Sequence, residues 1–449
     1  MKKFLFFAAA LLMFAVPAAN AQRVKTDVEL AKLEKVDATT VDAKKGASAA
    51  TWIKHAKAYV DAYILPTKEL GQGIPVQVLQ MNVGEPQGMV EGALMGMPMV
   101  VLQYEYVDVY VDPASYMIQG WDQKKSIKEN IPQIALASMA KAYELDPKSE
   151  SKIAPIAMTL ANALVQQGEA LNGVGRTLDA AECFELAYRA QTVVPSVEEN
   201  GLNLYNAGYL MTLYASTASG DDAIAAFQKG AQLFEETLAS GVVDEAGSIY
   251  YFLFHCYYGQ RSADRAYITK AKETLLTGID KFPKNNNILD GLMQLYTAEE
   301  GVGDPAELID RIETSLKDDP TNYDLWFGRG RVFNALKNYD ECVNSFVKCA
   351  ELRPEDFESN YFVGYFIIEK ANALLDALNS RTDVEDYDAE VKKVDEVFAQ
   401  AIPWLEKAHN IDPAHRDTIV SLRQLFFRLR EMEGMMEKYS HYRELENQL

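Results

Sequence analysis

Hydrophobic residues recur at helical spacing along most of the chain. In residues 324–354, Trp326, Gly330 and Phe333 fall on one helical stripe. A second stripe holds Tyr339, Cys342, Phe346 and Cys349. Spacings of three and four residues are typical of amphipathic helices. We therefore predict two antiparallel helices that end at Pro354, with small residues where the backbones approach and aromatic rings filling the gaps between neighbouring hairpins.

The pattern of the second stripe recurs along the chain. Small or apolar residues repeat at these spacings, often before a proline, in Ala135-Met139-Ala142-Pro147, Ala180-Phe184-Ala187, Ala223-Phe227-Gly230, Ala271-Leu275-Gly278-Pro283, Leu308-Ile312-Pro320 and Ala401-Leu405-Ala408-Pro413. The chain thus resembles the tetratricopeptide-repeat family, whose unit is a helix–turn–helix of about 34 residues. It departs from that pattern at Arg329, where the family usually has Leu, and at Cys342 and Cys349, where Ala is usual.

The resemblance implies an all-α fold, an α-α superhelical solenoid of about seven hairpins with capping helices at the C-terminal end. The predicted units are 49–147, 152–195, 200–240, 246–283, 285–320, 321–354 and 357–413. Residues 415–449 are expected to cap the last repeat. Residues 22–48 are expected to form a tether with a short helix.

Two insertions interrupt the repeats. The first, about 73–113, carries alternating Val, Tyr and Met, which predicts a β-hairpin or small sheet across 74–111 within the first repeat. It could be a packing flap or a surface that docks a partner strand. The second, about 372–396, is expected to lengthen two helices, and Pro403 to kink the second or mark a restart.

The first residues have the pattern of a secretory signal peptide. Lys2 and Lys3 precede the apolar run 4–16, and the small residues of Ala19-Asn20-Ala21 form a cleavage site before Gln22. We expect residues 1–21 to be removed on export, leaving no integral membrane segment. The product is then expected in the periplasm, associated with the outer membrane or secreted.

Composition and motifs limit the chemistry. The 449 residues carry a net charge of −21, which disfavours nucleic acid as a partner. Cys342 and Cys349, seven residues apart, would lie about 10 Å apart on a helix, too far for a disulfide. Buried free thiols are therefore the better reading of the four cysteines. No catalytic, metal-binding or cofactor motif is present, so we expect no enzyme activity, no metal and no cofactor.

The family usually binds peptides in a groove lined by the first helices of its repeats. The residues of this chain that match the groove positions are Tyr205, Tyr209, Phe327, Arg331, Tyr361 and Tyr365. Aromatic rings there suit protein or peptide partners, or sugars. The alternative is that these rings pack between repeats. The sequence favours an exported, non-enzymatic scaffold for protein–protein interactions in the bacterial cell envelope. The alternative is nutrient capture of a glycan or peptide, and the oligomeric state stays open.

Overall fold

The computed structural model describes residues 24–383 and 385–448, apart from the side chains at 297 and 305. The predicted signal peptide therefore lies outside the described residues. The chain divides into two compact units. The first contains the residues up to 243 and His255–Ala263, and the second contains Asp244–Phe254 and the residues from 264 onwards.

Helices of the first unit pack mainly as hairpins. They are α1 Thr26–Thr40, α2 Ala49–Ile64, α3 Val76–Val83, α4 Ile131–Leu145, α5 Glu150–Gly173, α6 Thr177–Gln191, α7 Leu202–Thr217 and α8 Gly220–Ala239. The pairs are α2 with α4, α5 with α6, and α7 with α8. Glycine permits the close approach: a Cβ on Gly208 of α7 would lie 3.0 Å from the Phe234 ring of α8.

A four-stranded antiparallel sheet lies between α3 and α4. Its strands are β1 Gly88–Leu94, β2 Met97–Gln103, β3 Val107–Val111 and β4 Ile118–Gln123, in that order across the sheet. The small sheet predicted within the first repeat is confirmed. However, α3 occupies part of the range predicted as β, and the sheet continues to Gln123. The β-rich composition hid a helical period, because Val76 and Leu79 of α3 are both buried.

The second unit is also built from consecutive helices. They are α9 Ser248–Gly259, α10 Ala266–Lys281, α11 Asn286–Ala298, α12 Pro305–Asp318, α13 Tyr323–Ala335, α14 Tyr339–Leu352, α15 Phe357–Asn379, α16 Tyr387–Ala399, α17 Ile402–Ile411, α18 Arg416–Arg428 and α19 Met435–Glu446. The last five residues of α9 belong to the first unit. Capping side chains fix several starts: Asn322, Asn338 and Asp356 each accept a hydrogen bond from a backbone N–H of the helix that follows.

The stretch 357–413 holds three helices rather than one pair. Pro403 lies in the first turn of α17, and α16 ends before it at Ala399. A proline is accommodated there because the first N–H groups of a helix have no partner within the helix. Of the two outcomes expected at Pro403, the structure shows the restart.

All four cysteines are buried and free, as predicted. Across residues 24–383 and 385–448, no helix has the length and apolarity needed to cross a membrane.

Candidate partner-binding surfaces

Three aromatic rings stack along one face of α15. Phe357, Tyr361 and Tyr365 are spaced four residues apart, which places them on one side of the helix. The Phe357 and Tyr361 ring centroids are 5.7 Å apart at 11°, and those of Tyr361 and Tyr365 are 5.9 Å apart at 27°. His415 packs on the first two rings. We call Phe357, Tyr361 and Tyr365 the α15 ladder.

The α15 ladder is partly open to solvent and lies beside acidic groups. Tyr365 is 37% exposed, and Tyr361 is half-buried. Burial, together with Asp417, raises the pKa of Tyr361, and burial with Glu369 raises that of Tyr365. Both hydroxyls therefore stay protonated at neutral pH. The surface offers flat rings and neutral phenols near carboxylates, which suits an extended peptide carrying basic residues.

A second exposed stripe runs along α7 in the first unit. Tyr209 is 40% exposed, and Tyr205 is half-buried with its ring edge-on to Phe234, centroids 5.8 Å apart. Leu202 and Leu213 are exposed on the same helical face. We call Leu202, Tyr205, Tyr209 and Leu213 the α7 stripe. The sequence analysis did not predict the two leucines as surface residues. Their spacing of seven and four residues from Tyr209 indicates that they lie on the same helical face as Tyr209.

Phe327 does not belong to an open surface. It is 2% exposed, and its ring centroid lies 5.2 Å from that of Phe346 on α14 and 5.7 Å from that of Phe362 on α15. Its prediction as a groove residue is therefore corrected: it fills the gap between neighbouring helices, the alternative considered for these aromatics. Arg331, one turn further on α13, is half-buried and makes no hydrogen bond or ion pair with the residues described here.

Helices α13 and α14 form a tight hairpin around small residues. A Cβ on Gly330 would lie 2.7 Å from the Phe346 ring, so only glycine fits there without a shift. Cys342 and Cys349 are fully buried on α14. These are the small positions of the repeat pattern. A tetratricopeptide-repeat family model matches residues 323–356, which span this hairpin.

Residues 323–356 are thus a tetratricopeptide repeat. No curated protein shows a significant match to the sequence of this chain.

Solved structures similar to this chain share little sequence with it. MamA MSR-1 is 14% identical over 47% of this chain and 97% of its own, with a TM-score of 0.23. A TPR repeats protein from Bacteroides fragilis is 15% identical over 59% and 97%, with a TM-score of 0.27. YrrB, described as a TPR protein with an unusual peptide-binding site, is 14% identical over 63% and 96%, with a TM-score of 0.25. Likeness this low supports no statement about a ligand or partner.

Arg329 stands where the repeat pattern usually has leucine, and neighbouring side chains stabilise its charge. Arg329 is 9% exposed, and its guanidinium contacts the carboxylates of Glu313 on α12 and Glu341 on α14 at 2.9 and 2.7 Å. The rings of Trp326 and Phe333 lie within cation–π distance. Arg329 therefore joins three consecutive helices by ion pairs where the usual leucine would join them by apolar packing.

A polar network in the first unit has the residue order of a hydrolase triad, but with the two nitrogens of the histidine exchanged. Asp37 Oδ1 lies 2.9 Å from His55 Nε2, and His55 Nδ1 lies 2.8 Å from Ser138 Oγ. However, Ser138 is 1% exposed, and its Oγ also lies 2.7 Å from the carbonyl oxygen of Ile134. A substrate has no access to this hydroxyl. The network joins α1, α2 and α4 and provides no usable nucleophile.

A small cavity lies between α3 and the sheet. Its volume is about 140 Å³, and its lining mixes apolar Leu70, Leu79 and Val83 with charged Lys68 and Glu85. In the described residues, no group of three or more His, Cys, Asp or Glu is placed to hold a metal ion.

Proposed function

We propose that this chain is an exported, non-enzymatic scaffold that binds protein or peptide partners in the bacterial cell envelope. The observation that carries the proposal is the α15 ladder, three stacked rings that stay partly exposed on a rigid helix. Large aromatic side chains contribute much contact area for little loss of conformational entropy, which makes them strong anchors in protein interfaces.

Charge supports a partner with basic residues. Asp417 and Glu369 lie close enough to the ladder to influence its hydroxyls, and the chain as a whole carries a charge of −21. An acidic surface attracts basic segments and repels acidic ones, which favours selective encounter. The α7 stripe is a second partly exposed surface with aromatic rings, in the first unit.

Export is part of the proposal and is supported by the signal-peptide pattern of residues 1–21. Its test is the intact mass of the protein recovered from the envelope. Loss of residues 1–21 is expected, whereas a mass that includes Met1 would refute export with cleavage.

The scaffold function is tested by crosslinking mass spectrometry on native envelopes. The wild-type chain is compared with a variant carrying Tyr361→Ala and Tyr365→Ala, and with the control Tyr387→Ala, an exposed tyrosine on α16 outside the ladder. We expect reproducible crosslinks from α15 to envelope proteins in the wild type and the control, and their loss in the double variant. If a folded, abundant wild-type chain forms no protein crosslinks, the scaffold proposal fails and glycan or peptide capture becomes the working hypothesis.

A further inference from the structure

The two edges of the small sheet differ. At the start of β4, the backbone N–H of Gly73 donates to the carbonyl of Ile118, and the N–H of Ile118 donates to the carbonyl of Ile74. That edge is thus partly covered by the segment before α3. β1, the opposite edge, forms backbone hydrogen bonds to β2 and to no other segment among the described residues.

The hairpin turn fixes which residues of β1 point outward. Met95 and Gly96 have φ angles of 51° and 79°, as in the two-residue turns that join hairpins tightly, and Leu94 pairs with Met97. The residues that flank such a turn form a hydrogen-bonded pair, and pairs then alternate along the strands. Leu94, Gly92, Val90 and Gly88 therefore bond to β2. The outward N–H and C=O groups belong to Met89, Glu91 and Ala93.

The outer edge of β1 is accessible. Val90 is 45% exposed, and Glu91 and Ala93 are also exposed. Natural edge strands are usually blocked by proline, lysine, a bulge or a covering segment. β1 contains neither proline nor lysine, and the sheet's one register shift lies between β3 and β4. The exposed residues Val90, Glu91 and Ala93 in the middle of this seven-residue strand leave its outer edge open to another strand.

We propose that β1 binds an extended segment of a protein partner as a fifth strand, with a basic residue opposite Glu91. This inference rests on the proposed scaffold function and names the kind of segment that the scaffold takes. Backbone hydrogen bonds to Met89, Glu91 and Ala93 hold the segment, as in other cases of strand addition. Glu91 selects the segment, since it is the charged residue of β1 and makes no ion pair with the described residues.

Charge argues against a second copy of this chain as the occupant. An antiparallel pair of β1 strands with full overlap places Glu91 opposite Glu91, and like charges directly opposite each other are destabilising. The net charge of −21 opposes association of two copies further. A heterologous segment with lysine or arginine removes both penalties.

The test uses the full-length chain and a capped seven-residue peptide of alternating Thr and Val with a central Lys. Hydrogen-exchange mass spectrometry is expected to show slower exchange in 88–94 when the peptide is added. The same peptide with a central Glu is expected to bind about fivefold more weakly, the value of one cross-strand charge pair. No slowing in 88–94, or slowing confined to other segments, would overturn the inference.

Two variants separate the backbone contribution from the charge contribution. Glu91→Pro removes one outward N–H and leaves the bonds to β2 in place, so it should abolish the protection. An unchanged far-UV circular dichroism spectrum and unchanged total tryptophan fluorescence are the fold controls. Glu91→Lys should reverse the preference to the Glu peptide, which keeps the inference testable if the proline variant unfolds. If neither substitution changes peptide binding, the inference is overturned.

Two further results would show which part of the proposal is wrong. Dimerisation of the wild type in sedimentation, lost in Glu91→Pro, would make a second copy the occupant and overturn the inference. Envelope crosslinks at the α15 ladder without protection of β1 would leave the scaffold function standing and refute strand addition alone.

Discussion

Nη2 of Arg329 lies 2.7 Å from Oε2 of Glu341, so the guanidinium on α13 is bound to the first turn of α14. The same nitrogen lies 2.9 Å from Glu313 on α12. Because Arg329 is buried and both carboxylates are about 40% exposed, the loss of the guanidinium is softened by water around its partners.

Replacing Arg329 should distinguish ion pairing from packing. We expect Arg329→Ala to lower the free energy of unfolding by about 2 kcal/mol, through a cavity and two unpaired carboxylates. Arg329→Leu should stay within about 1 kcal/mol of the wild type, because an apolar side chain of suitable volume often replaces a buried ion pair at little cost. The measurement is urea unfolding followed by circular dichroism. The control is Lys348→Ala, whose exposed pair with Glu351 should contribute less than about 0.5 kcal/mol. Equal losses in the two Arg329 variants would show that charge, not volume, stabilises this junction.

The ionised carboxylate of Asp37 should stabilise the fold of the first unit at neutral pH, and this stabilisation should be lost in acid. Burial opposes ionisation of Asp37, but hydrogen bonds from Lys128, Tyr59 and His55 outweigh it, so the pKa of Asp37 lies below its ordinary value of 3.8. A lowered pKa in the folded state stabilises the fold above the ordinary value, and this stabilisation is lost as the pH falls through the lowered one.

Asp37→Asn tests this component directly. We expect it to cost about 1 kcal/mol at neutral pH, since the carboxylate is one-third exposed and partly screened. The difference from the wild type should shrink as the pH falls below 3.8, which urea unfolding over a pH series would show. Asp27→Asn, an exposed change on the same helix, is the control. A difference that stays constant down to strong acid would contradict the assignment.

Alanine substitutions at Tyr365 and Phe327 should differ in their effect on stability, because one ring is exposed and the other is buried. Tyr365→Ala is expected to change the free energy of unfolding by less than about 1 kcal/mol, because the ring is exposed. Phe327→Ala should cost about 3–5 kcal/mol, because it leaves a cavity between α13, α14 and α15. Denaturant unfolding of both variants measures this. A large loss in Tyr365→Ala would place that ring in the core and remove it from the binding surface.

The sequence predicted the helical hairpins because the evidence for them is local. Gly330, Cys342 and Cys349 recur at helical spacing, and a helix hairpin needs little else to be recognised. The contrast between Phe327 and Tyr365 could not be predicted in this way. Both occupy a groove position by register, but the burial of Phe327 depends on Phe346 and Phe362, which approach it only in the folded chain.

The polar network was beyond sequence reasoning for the same reason. His55 and Ser138 are 83 residues apart, and no spacing rule connects them. Helix α3 was missed because Val76, Val78 and Val83 favour strands by propensity, whereas the burial of Val76 and Leu79 decided for a helix.

Buried thiols should make the native chain slow to react. Burial raises the pKa of Cys183, Cys256, Cys342 and Cys349 to about 12, so almost no thiolate forms near neutral pH. We expect negligible reaction with a disulfide reagent such as DTNB in the native state and reaction of all four thiols in denaturant. Rapid labelling of a cysteine in the folded chain would mean that it is exposed by local opening.

The sheet also bears on the order in which the first repeat folds. Each strand pairs with the next strand along the chain, so the sheet consists of local contacts that form early. Helices α2 and α4 must instead meet across residues 65–130. Closing a long unfolded loop lowers the conformational entropy of the chain. If the loop has already folded into a compact sheet, the further loss of entropy on closure is small. We therefore expect the insertion to fold first and to bring the two halves of its own repeat together.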